Sequence, residues 1–133
     1  MEIVKDDEWG LYPNFSKKEM ACKYTGKCFV THKLMKTLQD VRDIWGKSII
    51  ITSGYRDVSH PVERDKVNRG EHTYGLAADI KVSGTDALAL LEIMLELGVQ
   101  RIGVNQKGNY ATRFLHVGVG DTQGKFKPAV WSY

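Results

Sequence analysis

Ala77-Ala78-Asp79-Ile80-Lys81-Val82 and Phe114-Leu115-His116-Val117-Gly118-Val119 are the stretches whose alternation decides the fold. Successive side chains of a strand point to opposite faces, with a period of two. Leu115, Val117 and Val119 therefore share one face, and Phe114, His116 and Gly118 share the other. In the earlier stretch Ala78, Ile80 and Val82 point to a core, while Asp79 and Lys81 point away. A histidine and an aspartate thus stand on the non-core faces of two strands. Their small neighbours Ala77 and Gly118 leave room above the sheet.

Two further strands are expected at 48–52 and at 101–104, the latter joined hairpin-fashion to 114–119 through 105–108. Helical signals fall between them. Ser16, with Glu19 three residues on, forms a capping box for a short helix that ends before Thr25-Gly26. Thr31 caps a second helix along which Leu34, Leu38, Val41 and Trp45 recur at helical spacing, and Gly46 stops it. Ser83-Gly84-Thr85 opens a third over 87–97, stopped by Gly98. It is apolar nearly all round and so reads as a buried helix. Residues 57–70 are polar, with Pro61 near the start and Asn68-Arg69-Gly70 at the end, and read as a surface loop. The expected architecture is one α+β domain spanning 1–133, with a small, mainly antiparallel sheet, helices packed on one face and a metal site on the other.

Composition sets outer bounds. With 42% hydrophobic and 26% charged residues, the chain is ordinary globular material for one modest core. The net charge is +3, but Lys and Arg are scattered, so no nucleic-acid surface is expected. No apolar stretch approaches the roughly 20 residues that span a bilayer, and no stable membrane association is expected. The acidic start, MEIVKDDEWGLYPNF, lacks the apolar core of a signal peptide. Cys22 and Cys28 flank KYTGK without a second Cys/His pair nearby, and read as two reduced thiols.

His72 precedes Asp79 by seven residues, across Thr73-Tyr74-Gly75, where a glycine lets the chain fold back so that an imidazole can approach the carboxylate. Two imidazoles and a carboxylate are a normal catalytic zinc set with a fourth position left for water.

Ser53-Gly54-Tyr55-Arg56, then Glu71-His72-Thr73-Tyr74-Gly75-Leu76-Ala77-Ala78-Asp79-Ile80, then Phe114-Leu115-His116-Val117 resemble the motifs of the zinc D-Ala-D-Ala carboxypeptidase and bacteriophage endolysin family, peptidase family M15. Asn14-Phe15-Ser16-Lys17-Lys18-Glu19 is similar to its small single-domain branch, so the resemblance runs from about Phe15 to Val119. It implies a Hedgehog/DD-peptidase-like fold, with Zn2+ held by His72, Asp79 and His116. It also implies that Arg56 binds substrate and stabilises the oxyanion, with Ser53 and Tyr55 shaping the pocket. The implied reaction is metal-dependent cleavage of peptide bonds in the peptidoglycan stem.

The chain departs from that pattern where acids are usual. Arg113 stands three residues before the last histidine, and Gly118 two residues after it, where related enzymes often read H-V-D. Asp121, just past the strand, is the first candidate for general base. Glu71 is the next, although the residue beside an inward-pointing ligand is expected to point away. The alternative is a zinc-binding module that has lost catalysis and serves in cell-wall binding or virion structure. A monomer made in the host cytoplasm and acting on the wall after release is expected. The aromatic tail Val130-Trp131-Ser132-Tyr133 is expected to pack back on the domain or to contact substrate or a partner.

Overall fold

In the computed structural model, which describes residues 2–133, five strands form one sheet. They are β1 (Ile50–Ser53), β2 (Ala77–Lys81), β3 (Arg101–Asn105), β4 (Phe114–Gly118) and β5 (Ala129–Ser132), in the spatial order β1-β2-β4-β3-β5. β1 with β2, β2 with β4 and β3 with β4 are antiparallel, and β3 with β5 is parallel. The sheet is thus mainly antiparallel, as expected. The helices are α1 (Lys17–Met20), α2 (His32–Trp45) and α3 (Gly84–Glu96).

Local chemistry sets the helix ends. Ser16 Oγ accepts from the Glu19 N–H at 3.2 Å, and Glu19 Oε1 accepts from the Ser16 N–H at 2.9 Å, the reciprocal pair of a capping box. At α2, Thr31 Oγ1 accepts from the Leu34 N–H at 3.2 Å and donates to Gly75 O at 2.9 Å. One side chain thereby caps the helix and ties it to the turn ahead of β2. Gly46, with φ of 72°, ends α2 in the left-handed conformation that suits glycine.

The register lines up whole rows of the sheet. Ala78 pairs with Val117 and Ile80 with Leu115, while Ile102 pairs with Val117. These residues are buried together with Leu34, Leu38 and Val41 of α2 and Leu90 and Met94 of α3 in one core. Burying each such aliphatic side chain stabilises by about 1.5–3 kcal/mol. The opposite face carries a second row: Ser53 opposite Asp79, Asp79 opposite His116, His116 opposite Gly103, and Gly103 opposite Trp131. The helices are on one face and the polar row on the other.

Three expectations need correction. β1 begins at Ile50, two residues later than the strand expected at 48–52. α3 is not enclosed. It buries Ala87, Leu90 and Met94 but leaves Leu88 69% and Leu95 59% exposed, because it is an outer layer with nothing stacked beyond it among the described residues. Its opening Ser83 makes no side-chain cap bond. The tail packs back on the domain as expected, and does so as a fifth strand. Residues 57–70 form a series of turns, in keeping with the expected loop. Cys22 and Cys28 are free thiols, and no helix of the described residues is long and apolar enough to cross a membrane.

Candidate metal centre

His72 lies on a 3-10 turn, Glu71–Tyr74, that ends at Gly75 with φ of 67°. A Cβ at Gly75 would overlap Phe29 O and stand 2.9 Å from Val30 Cα, so the turn needs glycine for both its conformation and its packing. This reversal brings His72 back over β2. His72, Asp79 and His116 then converge, all buried, with one donor atom from each lying within 4.8 Å of the others.

The distances suit a metal. His72 Nε2 is 3.4 Å from Asp79 Oδ1, and His116 Nδ1 is 3.1 Å from the same oxygen. A tetrahedral zinc with ligand bonds of about 2.0–2.1 Å sets its donor atoms about 3.3–3.4 Å apart. The outer contacts choose the ligating nitrogens as well. His72 Nδ1 donates to Gly54 O at 2.7 Å, which turns Nε2 toward Asp79 as the nitrogen that would meet a metal. His116 has its Nε2 occupied by Glu71 Oε1 at 3.1 Å, which leaves Nδ1 for the cluster. The donor set, its spacing and the outer contacts of its imidazoles fit a zinc ion.

Charge is balanced tightly here. Burial works to raise the Asp79 carboxyl, but hydrogen bonds and charge from His116 and His72 win and hold it well below the usual carboxylate range. Burial likewise pulls His116 down, yet Asp79 and Glu71 outweigh it and the imidazole is raised. Glu71 is held below its ordinary value: burial opposes this, while His116 and Arg101 prevail. Arg101 Nε stands 2.9 Å from Glu71 Oε1.

The cluster opens into a cleft of about 350 Å³ whose walls include Arg56, Glu63, Lys66, Phe114 and Tyr133. Arg56 reaches it because its backbone N–H donates to His72 O at 3.1 Å, tying its loop to the ligand turn. Its guanidinium stands 3.5 Å from Asp79 Oδ2 and 3.6 Å from Glu63 Oε2. Tyr55 and Ser53 do not line the cleft. Tyr55 turns into the core against Phe29, with ring centroids 5.4 Å apart, and burial beside Asp57 pushes its phenol up to about 12. Ser53 sits on β1 opposite Asp79.

Asp121 does not join the site. It is exposed in a turn past β4, where Oδ1 accepts from the Gln123 N–H at 2.9 Å, and it lies outside the cleft. Its side chain is committed locally because the strand has already ended. Arg113 also faces away, donating to Gly108 O with its guanidinium 4.0 Å above the Tyr110 ring. Glu71, expected to point away from the ligands, is instead buried against His116, since in a 3-10 turn neighbours are not forced to opposite sides as in a strand.

One contributor is absent from the sequence reading, and two lie in the tail that was expected to pack back or to contact substrate or a partner. Glu63 comes from the loop, buried beneath Arg56 and bonded to the Gly70 N–H at 3.1 Å and Lys66 Nζ at 3.1 Å. No periodicity marks it. Trp131 packs on His116, with centroids 4.9 Å apart, and Tyr133 packs at a tilt on Phe114 at 4.9 Å. A Cβ at Gly103 would lie 2.6 Å from Trp131 Nε1, so the glycine of β3 provides the space for that ring. The aromatic tail was the available signal for both.

A family model described as Peptidase M15 matches residues 13–118 of the chain. The match covers α1 to the end of β4 and stops short of β5. Comparison with curated proteins finds no match.

Proposed function

The chain belongs to the peptidase M15 family, and from that premise we propose that it is a zinc-dependent metallopeptidase cleaving peptide bonds in the peptidoglycan stem, of the endolysin or D-Ala-D-Ala carboxypeptidase type. The observation that carries this reading is the buried His72–Asp79–His116 cluster at the floor of an open cleft, with Arg56 on the wall above it. His72 Nε2, Asp79 Oδ1 and His116 Nδ1 are the atoms that would hold the ion. A zinc ion there supplies Lewis-acid polarisation of the scissile carbonyl and a water nucleophile at neutral pH.

The chain's own residues do the rest. Arg56, held between Asp79 and Glu63, presents a guanidinium that can grip a substrate carboxylate and stabilise charge developing on the carbonyl oxygen. Glu63 keeps that guanidinium extended and is itself fixed by Lys66 and Gly70. Phe114 and Tyr133 form an aromatic wall for the rest of the peptide. The partner in this reading is the stem peptide, met by a monomer acting on the cell wall after release from the cell that makes it.

One observation favours the second reading, a zinc-binding module without catalysis. The carboxylates lining the cleft are Asp79, in the ligand set, and Glu63, already bonded to three partners. Purified protein incubated with isolated murein separates the two. Release of soluble peptide fragments that stops on chelation and returns with zinc is the expected result. Intact murein after incubation with fully zinc-loaded protein overturns the peptidase reading in favour of the module.

A further inference from the structure

Gly118 follows His116 by two residues on the same strand, on the face that carries the cluster. Its backbone is ordinary strand, with no positive φ to require glycine. What excludes a side chain is space. A Cβ there would overlap both Glu71 carboxylate oxygens and stand 2.7 Å from Glu71 Cδ. The two oxygens lie as close to that Cβ position as the carboxylate oxygens of an aspartate lie to their own Cβ. Glu71 therefore fills, from a 3-10 turn, the place that an aspartate on β4 would otherwise fill.

The carboxylate is fixed on every side. Oε1 accepts from His116 Nε2 at 3.1 Å and faces Arg101 Nε at 2.9 Å, while Oε2 accepts from the Gly120 N–H at 3.1 Å. It is 3% exposed and does not line the cleft. A group behind the imidazole, on the side away from Asp79 and His72, has no path to a substrate. A carboxylate that accepts the remote N–H of a metal-ligating histidine fixes the ring's tautomer and orientation and raises its basicity.

We infer that Glu71 is a positioning residue that orients His116 from behind and holds its Nδ1 free for the metal, with Gly118 supplying the space and Arg101 the counter-charge. The inference rests on the metal-site reading above. It removes Glu71 from the candidates for general base, and it makes positions 71 and 118 an exchangeable pair: one carboxylate is needed, from either residue, and two cannot fit.

The test is the zinc dissociation constant, by competition with a chromophoric chelator, for wild type, Glu71→Ala, Glu71→Gln and the double variant Glu71→Ala/Gly118→Asp, with apo-protein melting followed in parallel. Glu71→Ala is expected to bind zinc 10–100-fold more weakly, the usual effect of losing such an outer partner. The double variant should recover most of that affinity. The visible absorption of the cobalt-substituted protein should change in Glu71→Ala and return in the double variant. Glu71→Gln preserves packing and serves if the alanine variant fails to fold; it should also bind more weakly. Zinc affinity equal to wild type in the Glu71 variants, with only apo melting lowered, would reduce Glu71 to a structural ion pair and overturn the proposal while leaving the metal site intact. Failure of wild type itself to bind zinc would overturn both.

Discussion

Arg56 and Glu63 show how a single guanidinium is kept ready in the cleft. Arg56 is pinned at its backbone by His72 O and at its side chain by two carboxylates, so its position does not depend on substrate. Arg56→Ala should keep full zinc content yet lower kcat/KM on peptide substrate by about 10²–10³, the range for losing one oxyanion donor. Metal analysis alongside steady-state kinetics checks this, and unchanged kinetics would make Arg56 a loop residue. Glu63 adds a pH signature. Burial pushes its carboxyl up, but the Gly70 N–H, Lys66 and Arg56 together hold it below its ordinary 4.5. A depressed carboxyl contributes stability in full above the unfolded value, and that stability is lost as pH falls through the folded value. Wild type should therefore lose more stability than Glu63→Gln as pH falls below the ordinary glutamate value of 4.5, read from urea midpoints at each pH. Parallel losses in the two proteins would show that Glu63 carries no net stabilisation.

At the scale of elements, the site is a turn delivered onto a strand pair. Thr31, at the start of α2, bonds Gly75 O, and Gly75 cannot accept a Cβ, so the 71–75 reversal is fixed from both sides. Gly75→Ala should destabilise the fold by more than the about 1 kcal/mol of an ordinary glycine effect and should weaken zinc binding with it. Denaturant unfolding and metal titration on that variant check both; wild-type values in each would contradict the account of the turn. Sequence reveals some of these elements and hides others. β2 and β4 were legible because period-two alternation with one buried face fixes which side Asp79 and His116 take. Glu71 was misjudged because the strand rule does not extend into a 3-10 turn, and its true partner lies 45 residues away. β5 escaped notice because Ala129–Ser132 is a four-residue edge strand whose partner is parallel and distant, a pairing without a local turn signal. α3 misled because an all-apolar pattern speaks of low polarity and not of what will cover it.

For the whole molecule, one transverse row carries the candidate metal centre. Ser53, Asp79, His116, Gly103 and Trp131 stand opposite one another across five strands, so the metal cluster, its room and its aromatic flank are set by a single register. A one-residue slip would send Asp79 and His116 into the core, which ties correct folding to ligand geometry. Zinc binding at this cluster would couple to folding for the same reason. Free zinc at a hundredfold excess over its dissociation constant should add about 2.7 kcal/mol to unfolding, seen as a rise of several degrees in melting temperature. The central claim is tested most directly by elemental analysis of untagged protein, before and after dialysis against a chelator, with His116→Ala beside wild type. About one zinc per wild-type chain, removed by the chelator and absent from the variant, is the predicted result. A folded wild-type protein that carries no zinc and takes up none on addition would contradict it.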